Sequence, residues 1–93
     1  MQKNGNLVQN SFRKGFEYNI DTPASYRIRV IGELDEISLE QLRGLEISTS
    51  SQGKKTITTL SGLLPDQAAL FNLLLALYNM RLPLLSILCI EYR

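Results

Sequence analysis

Residues 64–87 read LPDQAALFNLLLALYNMRLPLLSI, and two prolines divide them. Pro65 suits the first position of a helix, where its missing N–H is not needed. Asp66 suits the cap or the first turn, where its charge meets the positive end of the helix dipole. Pro83 can neither donate nor extend a helix, so it stops one. The stretch therefore predicts a helix from about Pro65 or Asp66 to about Met80, followed by a strand over LLSILCIEY. Asn72, Asn79, Arg81 and Pro83 interrupt the apolar run, which excludes a membrane-spanning helix.

At about 100° per residue, Leu70, Leu74 and Leu77 fall on one line of that helix and are expected to face a sheet. Phe71 and Tyr78 flank the line on one side, Leu73 and Met80 on the other. Asn72, Ala76 and Asn79 mark the outer face, yet Leu75 lies beside them, so the apolar arc is about twice the ~100° a one-sided surface helix needs. The last strand repeats this excess. Leu85, Ile87 and Cys89 are expected on one face, and Leu84, Leu88, Ile90 and Tyr92 on the other. A strand apolar on both faces belongs under cover.

Upstream, YRIRVIG sets Tyr26, Ile28 and Val30 against Arg27 and Arg29, the period of a half-buried strand. ELDEISLEQLRG then offers Ser38 as a cap, Gln41 three residues on and Gly44 as a stop, which allows one or two helical turns. LEISTSS alternates, QGKK supplies a turn at Gly53, and TITTLSGLL returns as the partner strand. Ile57 and Leu60 are three apart, so a bulge near Thr58–Thr59 is expected. The resulting fold class is α+β: a ferredoxin-like βαββαβ unit with a short or degenerate first helix, an antiparallel sheet, and one long helix on one face. The strands from Tyr26 and Ile57 are expected at its centre, those from Leu45 and Leu84 at its edges. Residues 26–93 form this single domain. Residues 1–25 form a leader, rich in Asn, Gln, Ser and Gly over its first fifteen positions. Its Phe16, Tyr18 and Ile20 fit either an extra strand over 16–20 or a flexible extension with scattered aromatics.

From Tyr26 onward the chain resembles a group of small uncharacterised bacterial proteins. The pieces that carry the resemblance are YRIRVIGELD, GLEI, TTLSGLLPDQAAL and LPLLSI, in matching order. The chain departs from that group in its long leader, in EISLEQLR where an aromatic-rich segment is usual, and in Met80-Arg81 where a Leu-Gly turn is common. The resemblance implies a compact α+β bacterial domain and no activity. VIGELDEISLEQL also resembles the opening of a STAS-type regulatory domain, but a hairpin comes next where such a domain would alternate helices with parallel strands.

The composition narrows the chemistry. Ten basic residues against nine acidic ones make no phosphate-seeking field, and nucleic acid is not expected as a partner. Tyr26 and the two arginines alternate onto opposite faces, which does not make an RNA-binding sheet. With no histidine, the commonest metal ligand and general acid–base is missing, and Ser61 or Cys89 has no imidazole to activate it. Cys89, the one cysteine, reads as a small buried apolar side chain between Leu88 and Ile90. Glu33, Asp35, Glu36 and Glu40 lack the alternating ligand pattern of a calcium loop. No Gly-rich phosphate loop is present. No catalytic, cofactor-binding or metal-binding residue is expected, nor is a membrane partner.

The sequence supports three functional readings. The first is a non-catalytic, cytoplasmic interaction or regulatory module, acting as a homodimer or on another protein. Its candidate interface is Phe71, Leu75, Tyr78, Leu88, Ile90 and Tyr92. The second is a small-ligand sensor similar to ACT domains, with a candidate ligand loop at Glu33, Asp35 and Ser38, although the Pro-Gly turn typical of those domains is missing. The third is an enzyme using carboxylates alone, such as Asp35 with Asp66. The surplus apolar surface fits two covers, leader residues Phe16 to Ile20 or a second copy, and an apolar edge that invites strand addition favours the copy.

Overall fold

The computed structural model of the chain describes residues 19–35, 42 and 44–93. Four strands and one helix succeed one another among these residues: β1 (Ala24–Ile31), β2 (Glu46–Gln52), β3 (Lys55–Leu64), α1 (Gln67–Asn79) and β4 (Leu84–Tyr92). The sheet has the order β2-β3-β1-β4 and every neighbouring pair is antiparallel. β1 and β3 are central, β2 and β4 are edges. The architecture is thus α+β, a four-stranded antiparallel sheet with one helix, and that helix comes after three strands. The short first helix expected from Ser38 falls on residues 36–41 and 43, outside those described. Around them, Leu42 is buried in the core, its carbonyl accepts from Leu45 N–H at 3.2 Å, and Gly44 takes φ 94°, so the chain turns here into β2.

β1 alternates as its sequence demands. Ala24, Tyr26, Ile28 and Val30 are buried on the face that meets α1, and they form the core with Leu42, Leu60, Leu70, Leu73 and Leu77. β3 pairs with β1 and β2 without a register shift, so the bulge expected near Thr58–Thr59 is absent. Thr58 instead occupies the helix-facing position opposite Val30, fully buried, and its hydroxyl donates to the carbonyl of Gly32. A satisfied hydroxyl can sit in a core, so the broken apolar period needs no extra residue. Ile57 takes the alternate position. The hairpin closes through Gly53, φ 64°, at the first of two central turn positions, as a primed two-residue turn requires. At Gly62 the constraint is space: a Cβ there would stand 2.6 Å from Leu45 Cδ2, and that side chain would have to shift.

α1 is capped at both ends. Asp66 precedes it, and its Oδ1 accepts from Ala69 N–H at 2.9 Å. At the far end Arg81 N–H reaches Tyr78 O at 2.9 Å and Leu82 N–H reaches Leu77 O at 3.2 Å. These are the paired bonds of a Schellman stop, with Arg81 in the left-handed position at φ 63° where glycine is the usual choice. The buried face of the helix differs from the expected line. Leu70, Leu73 and Leu77 are buried, while Leu74 is only half-buried. The helix is rolled toward Leu42, Leu45 and Leu64 above β3 and β2, because those side chains give Leu73 apolar partners.

Candidate functional site

The roll of α1 leaves one side of the sheet bare. Its Leu73 flank, with Ala69, Asn72 and Ala76, borders an apolar cleft of about 420 Å³ beside Leu42, Gly44 and Leu45. Its opposite flank, with Leu74 and Tyr78, meets Val30, Leu82 and Leu84 around a second cleft of about 300 Å³ at the start of β4. Phe71 lies seven residues before Tyr78 and shares that flank. Beyond it, all of β4 but Ser86 is exposed, Cys89 included, which corrects the buried position expected of it, because no described helix or loop covers this edge strand.

β4 does not alternate simply. Leu84, Ile87, Cys89 and Tyr92 pair with Val30, Ile28, Tyr26 and Ala24, and so take the helix-facing side. Ser86, Leu88 and Glu91 pair with Arg29, Arg27 and Ser25 on the open side. Register shifts fall between Ser25 and Tyr26 and between Arg29 and Val30, which places Leu85 and Ile90 at the irregularities. The expected division, with Leu84, Leu88, Ile90 and Tyr92 on one face, is therefore corrected. Two shifts each reset a period of two, and a period read from sequence cannot show them.

The six candidate interface residues are all exposed: Phe71, Leu75, Tyr78, Leu88, Ile90 and Tyr92 range from 37% to 71%. They do not lie on one plane. They wrap one margin of the molecule, from the outer flank of α1 across the helix side of β4 to its open side. Leu84, Leu85 and Ile87, not among those six candidates, are exposed on the same margin. These nine side chains are each 37–71% exposed and are spread over α1 and both sides of β4.

Tyr26 joins this margin to the core. Burial pushes its phenol above the usual value of 10.0, helped by neighbouring Tyr92 and Cys89 and by a side-chain hydrogen bond with Tyr92. Tyr26 faces the helix while Arg27 and Arg29 occupy the other side of the sheet, so aromatic and basic groups are kept apart.

The ligand loop is only partly visible. Glu33 and Asp35 are exposed beyond the end of β1, and Ser38 lies outside the described residues. Neither Glu33 nor Asp35 lines either of the two clefts. Asp66 follows Leu64, which pairs with Ala24 at the start of β1, whereas Asp35 follows its end. The eight-residue strand between them spans about 24 Å, so Asp35 and Asp66 stand at opposite ends of the sheet and make no catalytic pair. Among the described residues, no group of three His, Cys, Asp or Glu side chains is placed to hold a metal ion. No described helix is long and apolar enough to cross a membrane. Of the leader, residues 16–18 of the extra strand lie outside the described residues. Asn19 and Ile20 enter a turn closed by Thr22 N–H to Asn19 O at 3.1 Å, and Ile20 O accepts from Gln67 N–H at 2.8 Å.

These elements define a small α+β domain, a four-stranded antiparallel sheet carrying one helix, with an apolar margin as its most distinctive surface. The chain belongs to the family described as Domain of unknown function (DUF8691), which matches residues 25–88, from β1 into the middle of β4. All four pieces that carry the resemblance to small uncharacterised proteins lie inside that span. No curated protein and no solved structure matches the chain.

Proposed function

We propose that this chain is a non-catalytic interaction or regulatory module of the bacterial cytoplasm that works as a homodimer. The observation that carries the reading is the exposed apolar margin of β4 and α1, nine large apolar side chains each 37–71% exposed. The two sheet edges support it by contrast. β2 shows solvent Glu46, Ser48, Ser50 and Gln52, a polar edge that discourages pairing, whereas β4 carries one charged residue, Glu91, and is otherwise mostly apolar. A ferredoxin-like βαββαβ layout, with its degenerate helix between β1 and β2 and a domain over 26–93, fits the central β1 and β3 and the antiparallel pairing. The balanced charge favours a protein partner over nucleic acid. The alternative, a small-ligand-sensing ACT-like domain, would bind at the loop of Glu33, Asp35 and Ser38, beyond the end of β1.

Light scattering on the 93-residue chain across the micromolar range tests the reading. The expected mass is twice 10.5 kDa, falling toward 10.5 kDa on dilution. Leu75→Lys or Leu88→Lys is expected to shift the chain to monomer at concentrations where the native protein is dimeric. A monomer at high micromolar concentration would overturn it.

A further inference from the structure

The geometry of β4 points to a specific partner and register. We infer that β4 pairs antiparallel with β4 of a second copy about a two-fold axis through Leu88, joining two sheets into one of eight strands. The inference rests on the homodimer reading and adds where and how the copies meet.

Its first support is the symmetry of the strand. The helix-facing residues are Leu84, Ile87, Cys89 and Tyr92, and they lie four and one positions to either side of Leu88. An antiparallel copy centred there sets Leu84 opposite the partner's Tyr92, Ile87 opposite the partner's Cys89, and Leu88 opposite the partner's Leu88. Each pair lies on a common side of the sheet, as cross-strand neighbours must. A one-residue slip would put helix-facing groups against open-side ones. Glu91 and the partner's Leu85 fall near the ends of the seam, within reach of solvent.

The second support is exposure. Leu84, Leu85, Ile87, Leu88, Ile90 and Tyr92 of β4 are each 37–51% exposed, apolar surface that a second strand along this edge would cover. The third is chemistry. A strand with exposed apolar side chains on both faces, Ser86 and Glu91 its polar members, is matched by another of the same kind, and a second copy supplies one. The polar edge at β2 does not.

The test is disulfide trapping in the full chain. With Cys89→Ser, Leu88→Cys places the introduced thiols opposite each other across the axis, and mild oxidation is expected to convert most of the protein to a covalent dimer. Ser50→Cys with Cys89→Ser, on the β2 edge, is expected to stay unlinked. Native Cys89 is its own control: in this register its Cα lies about 8 Å from that of the partner's Cys89, beyond the ~7 Å limit for a disulfide. Leu88→Lys is expected to weaken dimerisation at least tenfold and Ser50→Lys to leave it unchanged.

A dimer that links through Ser50→Cys, or through neither site, overturns this register and leaves the homodimer reading intact. A monomer overturns both. A monomer whose β4 amides nevertheless resist hydrogen exchange assigns the edge to residues 1–18 of the same chain, and overturns the inference in favour of that occupant.

Discussion

Arg81 shows how one position can work against the fold it closes. A side chain at φ 63° in the last turn of a Schellman stop costs on the order of 1 kcal/mol that glycine would not. Arg81→Gly is therefore expected to stabilise the domain by about 0.5–1 kcal/mol, read as a higher urea midpoint with an unchanged slope. Tyr26 makes stability depend on pH. Its phenol titrates above 10.0 in the fold, mainly because it is buried. Between the ordinary and the raised value the unfolded chain binds fewer protons, so stability falls as pH rises there. That contribution is fully present below the ordinary value and is lost through the raised one. Tyr26→Phe is expected to flatten the decline in urea midpoint above pH 10.0.

At the scale of elements, the roll of α1 decides what is buried. Leu73→Ala is expected to cost about 2–4 kcal/mol, and Leu74→Ala about half of that, because only Leu73 sits in the closed core. Equal losses, measured by urea unfolding, would contradict the roll. Asp66→Ala, which removes the cap on Ala69 N–H, is expected to cost about 1 kcal/mol. The helix and four strands were legible in the sequence because Pro65, Pro83, Gly53 and the alternation of β1 are local signals. The roll was not, since it depends on Leu42, Leu45 and Leu64 arriving from elsewhere in the chain. Thr58 misled for a related reason: its burial rests on the carbonyl of Gly32, 26 residues away. In β4 the apolar surplus was visible, but its division between faces was hidden by two register shifts that only the pairing with β1 reveals.

At the scale of the whole molecule, the sheet is covered over β3 and β1 and bare at β4. An edge strand directs alternate N–H groups outward, where they pair with water unless another strand arrives. A dimer formed there also ties stability to protomer concentration, so the thermal midpoint is expected to rise as the chain is concentrated, and Leu88→Lys to remove that rise. The most direct measurement is amide hydrogen exchange along Leu84–Tyr92 at two protein concentrations. Outward and inward amides are both expected to be protected at the higher concentration, the outward set losing protection on dilution. Alternate amides that exchange at open-edge rates at every concentration would contradict a covered β4.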